Sequence, residues 1–472
     1  MISNTMKKLA IAIAGLSLLA PLASNAQPND TYFVGEGSWG QSYADQWAIK
    51  RVGMENPQSV WASLGSNPSE VTVAVIDTGL DWNHADISWD MLWKNEEEIP
   101  DNGIDDDGNG YVDDIIGWNF FENSNKPWDH DGHGTFVTGI INADTNNAKG
   151  IAGMNPHARV MVLKAINNFG HSRASYLAQA LYYATDNGAK IVNMSVGGKG
   201  LTPLEKEAVD YAVSKGVFIV VAAGNEAIKA EEFGIAGLEN VLTVAATGTN
   251  DKRVVFSNWG AAVDVAAPGV DVLSLRARRT DFLAGSPDIE YDETAAYVGD
   301  DKRYYRASGT SFSAPIVTGA ASLLLSKDPT LTHEDLHQLL TQSARDIGTP
   351  GIDQYTGYGL LDVRAALAAD KGFFISALIN DVQIVADGGG QSVEVLGTAA
   401  ADRLLSADLF LGAGEDPTDW KPVADELTQS VTDGALGRIP AIEFAGSAVW
   451  TIRLVTTHAN GQTREFRFQI DL

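Results

Sequence analysis

The chain has 472 residues, 44% of them hydrophobic, and a formal net charge of −28. This length and composition are typical of a globular protein that buries a sizeable core in more than one domain. The negative charge argues against nucleic acid and anionic membranes as partners, because like charges repel.

Residues 1–26 have the layout of a secretory signal peptide. A pair of lysines precedes an apolar run from Leu9 to Ala23, and small residues precede a predicted cleavage site before Gln27. The run is short for a membrane span. We therefore expect a secreted or periplasmic protein. Because the chain contains no cysteine, such a protein would be stabilised by a large core or a bound ion instead of disulfides.

Short runs rich in valine and isoleucine alternate with helical patterns between residues 71 and 370. Strands are predicted at 71–77, 160–165, 190–195, 217–223 and 241–246, and helices at 174–187 and 203–215. Buried strands that alternate with helices predict an α/β fold with a parallel sheet covered on both faces. We interpret residues 27–70 as the N-terminal arm of this α/β domain, which spans residues 71–370.

The sequence pattern changes after about Lys371. From Val449 onward, large apolar residues occupy alternate positions in two runs, and Asn460-Gly461 lies between them. Alternation predicts strands, and Asn-Gly predicts a tight turn. We predict that residues 375–472 form a small β-sandwich. Such a unit would dock on other molecules, bind substrate or be removed during maturation.

The stretch SGTSFSAPIVTG, residues 308–319, precedes an apolar helical run. If the helix begins at Ser311, Pro315 falls in its first turn, where no backbone N–H is needed. In the simplest interpretation, Thr310, Ser311 or Ser313 is an N-cap. Alternatively, Ser311 is a nucleophile, since a helix N-terminus offers free N–H groups to a developing oxyanion.

A nucleophilic serine needs a base that a carboxylate orients. His133, between two glycines before an apolar run, is the best base. A capping histidine and a metal pair with His130 are alternatives, although no further ligand with typical spacing accompanies the pair. Asp77, at the end of the first predicted strand, would orient the base or simply occupy a turn. An aspartic protease is disfavoured, because the chain has one Asp-Thr-Gly and an α/β pattern.

The segments VIDTG, HGTFVTG and SGTSFSAP, in this order, together resemble the motifs of the subtilisin-like serine proteases. The resemblance covers roughly residues 40–370. It implies that Ser311 is the nucleophile, that His133 is the general base and acid, and that Asp77 holds the imidazole tautomer. It also implies an exported serine endopeptidase that forms an acyl-enzyme with protein or peptide substrates. The alternative is an inactive calcium-binding relative that acts as a protein-binding module.

Two further blocks resemble the family. The block VFIVVAAGNE implies that Asn225 donates a side-chain hydrogen bond to the tetrahedral intermediate, although a turn asparagine is the simpler interpretation. The block NMSVGG implies backbone pairing with an extended substrate, unless it is only a core strand. One wall of the P1 pocket would comprise Ser195, Val196 and Gly197, and the facing wall Ala222, Ala223 and Gly224. The sequence does not define the pocket edge at 233–237 or the P1 preference.

Oxygen-bearing residues alternate along DNGIDDDGNGYVDD, residues 101–114. The predicted ligands, at EF-hand-like spacing, are Asp105, Asp107, Asn109 and Asp113 through their side chains and Tyr111 through its carbonyl. Ile116 stands where an EF-hand has glutamate, so a complete EF-hand is excluded. A solvated acidic loop is the alternative. Because these carboxylates would repel each other without a cation, we predict a structural Ca²⁺ site.

Three differences from the family pattern surround the predicted site. Phe312 follows the candidate nucleophile, where the family usually has methionine, and Phe136 replaces a usual histidine. An insertion at 276–306 carries three arginines near one end and precedes the nucleophile directly. It would be either a lid or specificity loop, or an inert surface excursion.

Overall fold

The computed structural model describes residues 27–282, 293–387 and 390–471. The predicted signal peptide and part of the predicted insertion, residues 283–292, lie outside these ranges. Within the described ranges, none of the helices has the length and apolar character needed to cross a membrane.

A seven-stranded sheet forms the centre of the larger part of the chain. Its strands are β1 (Val71–Asp77), β2 (Gly117–Asn119), β3 (Ala158–Lys164), β4 (Ile191–Met194), β5 (Phe218–Ala222), β6 (Leu242–Thr247) and β7 (Val265–Pro268). They lie in the order β2-β3-β1-β4-β5-β6-β7, and every neighbouring pair is parallel. The predicted parallel α/β fold is therefore confirmed. The five predicted strands begin and end within two residues of the expected positions, whereas β2 and β7 were not predicted.

Helices cover both faces of this sheet. The helices are α1 (Thr31–Val34), α2 (Trp47–Ile49), α3 (Pro57–Ala62), α4 (His133–Asn142), α5 (Ala174–Asp186), α6 (Pro203–Ser214), α7 (Glu293–Ala296), α8 (Thr310–Lys327), α9 (His333–Gln342) and α10 (Val363–Ala368). Along β1, Val73 and Val75 pack in the cluster that contains α4 and α8, whereas Ala74 and Ile76 pack in the cluster that contains α5 and α6. Alternate side chains of a strand point to opposite faces, so burial on both faces explains its continuous apolar sequence.

Local sequence explains where several helices begin. Thr202 and Glu205 form a reciprocal capping box at the start of α6, and Pro203 occupies the first helical position. The start of α8 differs from the prediction, since its N-cap is Gly309 and the helix begins at Thr310. None of the three candidate hydroxyl residues is therefore the cap.

Pro315 is the sixth residue of α8 and lies in its second turn, not in the first turn as predicted. Proline has no N–H to donate to the carbonyl four residues earlier, which is that of Ser311. The Ser195 hydroxyl donates to this carbonyl instead, at 2.8 Å. A residue of the predicted pocket wall thus satisfies the group that Pro315 leaves without an intrahelical partner.

The N-terminal arm, residues 27–70, packs on the sheet and its helices. Phe33 and Trp47 are buried in the same core cluster as α4 and α8. The fully buried carboxylate of Asp30 accepts hydrogen bonds from the backbone N–H groups of Asn146 and Asn147, at 3.0 and 3.2 Å. These contacts attach the segment to the unit built on the seven-stranded sheet.

Two antiparallel units complete the structure. A small sheet in the order β8-β10-β9 contains β8 (Val272–Leu275), β9 (Tyr297–Val298) and β10 (Tyr304–Ala307). The C-terminal sheets have the orders β11-β12-β15 and β14-β13-β16-β17. Their strands are β11 (Ile375–Asp387), β12 (Gly390–Ala401), β13 (Leu404–Ala413), β14 (Lys421–Pro422), β15 (Val431–Pro440), β16 (Val449–His458) and β17 (Thr463–Asp471). These two sheets share one core, which confirms the predicted C-terminal β-sandwich.

The sandwich contacts the unit built on the seven-stranded sheet through a buried cation. Arg464, on β17, is 6% exposed and donates to the backbone carbonyls of Gln342 and Tyr358, at 3.1 and 3.4 Å. Gln342 also accepts from the backbone N–H of Ile375, at the start of β11. The first and last strands of the sandwich are therefore both attached to the end of α9.

Candidate active site

Asp77 and His133 meet at the carboxyl edge of the parallel sheet. Asp77 is the last residue of β1 and is 1% exposed, while His133 is the first residue of α4. The Nδ1 atom of His133 lies 2.8 and 3.0 Å from the two carboxylate oxygens of Asp77. This contact holds the ring so that Nε2 remains available for proton transfer.

A second carboxylate, which the sequence analysis did not single out, fixes the start of α4. Asp129 is 1% exposed and accepts from the Thr78 hydroxyl, from the Gly132 N–H and from both the N–H and the hydroxyl of Thr135. Its bonds join the end of β1 to the first turn of α4. Because these elements carry Asp77 and His133, Asp129 supports their relative position. Its only sequence signal is its place four residues before His133.

Ser311 is the second residue of α8 and lies on the same groove as His133. Its hydroxyl donates to the backbone carbonyl of Ser195 at 3.2 Å, while the Ser195 hydroxyl donates to the Ser311 carbonyl. The second N–H of a helix has no intrahelical partner, so the Ser311 N–H is free to bind an anion in the groove.

Asn225 follows β5 and is exposed on the groove. Its Oδ1 accepts from the backbone N–H and the hydroxyl of Thr310, at 2.9 and 3.0 Å. This arrangement fixes the side chain beside the start of α8 and leaves the Nδ2 amide as a donor. The predicted oxyanion donor therefore lies next to the predicted nucleophile.

The groove has a volume of about 1030 Å³. The predicted substrate-binding residues that line it are Ser195, Val196, Gly197, Ala222 and Gly224. Ala223 is fully buried and packs away from the groove in another apolar cluster. The two predicted walls thus face one groove that also contains His133 and Ser311.

Phe233 closes the space between these walls, and the sequence analysis did not identify it. A Cβ atom at Gly197 would lie 2.3 Å from Cε1 of Phe233, and one at Gly224 would lie 2.7 Å from the same atom. Phe233 is 6% exposed, so its ring fills the interior of the pocket. The only sequence signal was the unusual segment at 233–237, where the typical proline is absent.

Carboxylates dominate the electrostatics around His133. Burial lowers the pKa of His133, but the charge and hydrogen bond of Asp77 and the charge of Asp131 outweigh it, so the pKa is raised above its ordinary value. Burial raises the pKa of Asp131 to about 6, although the neighbouring His133 opposes this shift. The neighbouring carboxylates therefore stabilise the protonated, imidazolium form of His133.

The acidic loop folds around a carboxylate from outside the predicted ligand set. Oxygen atoms of Glu98, Asp105 and Asp107 lie within 4.8 Å of one another. Asp113 instead accepts from the backbone N–H groups of Asn102 and Gly103, both at 3.0 Å. The predicted ligands Asn109 and Tyr111 remain in the same loop, where Oδ1 of Asn109 accepts from the Tyr111 N–H at 2.8 Å. Glu98 has no recognisable spacing signal, because it precedes the repeat.

Comparisons with known proteins identify relatives of this chain. The family model described as the subtilase family matches residues 68–359. A thermophilic serine proteinase of Bacillus sp. strain AK1 is 34% identical over 337 residues, which are 71% of this chain and 68% of that protein. Thermitase of Thermoactinomyces vulgaris is 31% identical over 64% of this chain and 86% of its own length.

A solved structure of a protease from Pseudoalteromonas arctica PAMC 21717 has a TM-score of 0.55 and 26% identity to this chain. It covers 73% of this chain, and 99% of its own length is matched. The chain belongs to the subtilase family, and its class of activity is that of a serine-type endopeptidase.

Proposed function

We propose that the chain is an exported, calcium-stabilised endopeptidase that acts through Asp77, His133 and Ser311. The observation that carries the proposal is the 2.8 Å contact between His133 and Asp77 on the groove that also holds Ser311. The test is hydrolysis of casein with and without a sulfonyl fluoride that modifies active serines. If the reagent abolishes hydrolysis and attaches one sulfonyl group to Ser311, the proposal is supported. Hydrolysis that is undiminished in the presence of the reagent would contradict it.

The chemistry begins when the Ser311 hydroxyl leaves the Ser195 carbonyl and turns toward Nε2 of His133. His133 takes the hydroxyl proton as Oγ attacks the scissile carbonyl, and Asp77 stabilises the resulting imidazolium. His133 then protonates the leaving amine, so an acyl-enzyme remains on Ser311. A water molecule, deprotonated by His133, releases the acid product and restores the serine.

The oxyanion of each tetrahedral intermediate would accept from the Asn225 Nδ2 amide and the Ser311 N–H. Both donors are held in position before the reaction, Asn225 by Thr310 and Ser311 by its helix. Preorganised donors stabilise developing charge without reorganisation at the moment of reaction.

For substrates, we propose extended peptides with a small P1 residue, such as alanine. The Phe233 ring occupies the volume between Gly197 and Gly224 that a large P1 side chain would require. The 195–197 segment would bind the peptide through backbone groups. Positions of the substrate other than P1 would therefore tolerate varied side chains.

We expect Phe233→Ala to broaden P1 acceptance. The enlarged pocket should raise kcat/KM for a peptide with phenylalanine at P1 by about 10- to 100-fold, since a gain of one to three kcal/mol is typical for filling such a pocket. The matched peptide with alanine at P1 is the control and should change little. Parallel kinetics with both p-nitroanilide peptides measure the effect. Unchanged discrimination between the two peptides would contradict this role of Phe233.

We propose that Glu98, Asp105 and Asp107 hold Ca²⁺, with the loop at 109–111 beside them. The donors fit this ion, because Ca²⁺ prefers clusters of carboxylate and carbonyl oxygens. When bound, the ion would neutralise the repulsion among these carboxylates. It would stabilise the fold and take no part in peptide hydrolysis.

Removal of calcium with a chelator should lower the melting temperature by about 3 °C, because a ligand at 100 times its Kd contributes about 2.7 kcal/mol. Asp105→Asn should abolish most of this calcium-dependent shift. Glu96→Gln, an exposed site in the preceding loop, is the control and should retain it. Calorimetry in a Ser311→Ala background avoids autolysis. An equal calcium response in all three proteins would overturn the assignment of this site.

A further inference from the structure

The segment that leaves β8 is held against the active site by buried partners. The backbone N–H and the guanidinium Nε of Arg278 both bond to Oδ2 of Asp81, at 2.9 and 3.2 Å, and Asp81 is fully buried. Asp281 accepts from the hydroxyls of Tyr297 and Tyr305, at 3.0 and 3.1 Å. The segment 276–282 is therefore anchored at both ends and is not a free surface excursion.

Phe282, at the end of this segment, packs against the catalytic imidazole. Its ring centroid lies 5.7 Å from that of His133 with an interplanar angle of 88°, an edge-to-face geometry. Phe312 lies 5.6 Å from the same imidazole. Phe282 is itself supported by Phe136 at 5.8 Å and Tyr305 at 5.1 Å. Two phenylalanine rings thus contact the imidazole that Asp77 holds at Nδ1.

Gly132 shows how closely the segment approaches the loop before His133. A Cβ atom at this position would lie 2.7 Å from the Thr280 hydroxyl oxygen and 3.4 Å from Cδ1 of Phe282. Its φ of 117° also favours glycine. The absence of a side chain at 132 lets the segment lie directly over the base.

We propose that Phe282 is a positioning residue that holds the imidazole of His133 in the orientation needed for proton transfer. This inference rests on the proposed role of His133 as the base. Asp77 restrains the ring through Nδ1, whereas Phe282 and Phe312 restrict its tilt and its displacement toward the groove. Proton transfer requires that the base be held close to its reactive position, since a misplacement of about 1 Å can lower the rate of catalysis by about 100-fold.

The experiment compares Phe282→Ala with the wild-type protein on a short p-nitroanilide peptide that has alanine at P1. In Phe282→Ala, we expect kcat to fall by about 10- to 100-fold with little change in KM. Phe282→Tyr, which keeps an aromatic ring, should retain most of the wild-type kcat. Phe282→Leu, which keeps apolar bulk without a ring, is measured in parallel in case the alanine variant does not fold. Phe121→Ala is the matched control, because Phe121 is also a half-buried ring in an aromatic contact, 5.0 Å from that of Tyr176, and it lies outside the groove.

The pH profile separates positioning of the base from general packing. Burial lowers the pKa of His133, while Asp77, Asp131 and Asp129 raise it; Arg279 and Asp281 of the anchored segment line the same groove. Removal of the Phe282 ring exposes the imidazole, so the acidic limb of kcat/KM should move to higher pH. An unshifted acidic limb, an unchanged kcat or an equal loss of kcat in Phe121→Ala would overturn the inference. An inactive wild-type protein, or an active His133→Ala variant, would instead refute the proposed function itself.

Discussion

Ser311→Ala should lower kcat by about 10⁶-fold while the protein remains folded. This magnitude is that of the corresponding loss in subtilisin, a member of the same family. The alanine removes the atom that forms the acyl-enzyme, and water must then attack with help only from the remaining groups of the site. His133→Ala should have a similar effect, and the double variant should lose little more, because the two residues act as a unit. Burst kinetics with an active ester substrate measure the acylation step.

Ser308→Ala is the matched control for this substitution. Ser308 belongs to the same sequence stretch, and its hydroxyl accepts from the backbone N–H of Asp271 outside the catalytic contacts. We expect its kcat to remain near the wild-type value. If Ser311→Ala kept wild-type turnover, Ser311 would be a structural residue of α8, and another group would have to be the nucleophile.

Asn225→Asp should lower kcat by about 10²- to 10³-fold, a range that also comes from a subtilisin. The substitution keeps an oxygen that accepts from Thr310 and replaces the Nδ2 donor with a second oxygen. That oxygen would repel the oxyanion, which develops only after the ground state, so KM should change little. Steady-state kinetics with the peptide that has alanine at P1 measure the effects of the substitution on kcat and on KM separately.

Asn225→Ala serves as the comparison, because it removes both the donor and the contact with Thr310. If the alanine variant lost activity and the aspartate variant did not, Asn225 would act by capping the start of α8. Loss of kcat in both variants, with unchanged melting temperatures, is the result expected for an oxyanion donor. The two substitutions therefore separate the two functions of one side chain.

Much of the fold follows from local sequence. The continuous apolar run at 71–77 predicts β1 because a strand buried on both faces has no polar side. Thr202, Pro203 and Glu205 encode the start of α6 through a capping box. The start of α8 was harder to predict, since the hydroxyls of its first turn bind distant groups. The Ser195 contact that compensates for Pro315 depends on a residue more than one hundred positions away.

The candidate site, like the fold, has features that local sequence predicts and features that it does not. The motifs around Asp77, His133 and Ser311 predict the chemistry of the candidate site, because their residue types and order resemble those of this family. Phe233 and Glu98 were missed, because a pocket-filling ring and an additional carboxylate have no characteristic spacing. The sequence also did not determine the role of the insertion at 276–306, because a lid and an inert loop have the same composition.

The sequence by itself determined the class of protein, the parallel α/β architecture, the C-terminal β-sandwich and the candidate catalytic residues. These depend on apolar periodicity and short motifs, which are local properties of a chain. The tertiary structure alone decided which groups surround those residues. Phe233 packs between two glycines, Glu98 lies beside the acidic loop, and Phe282 packs against His133. Each of these contacts joins segments that are far apart in the chain or that carry no motif. Such contacts arise when the sheet and its helices pack, because packing depends on shape and volume that no local pattern encodes.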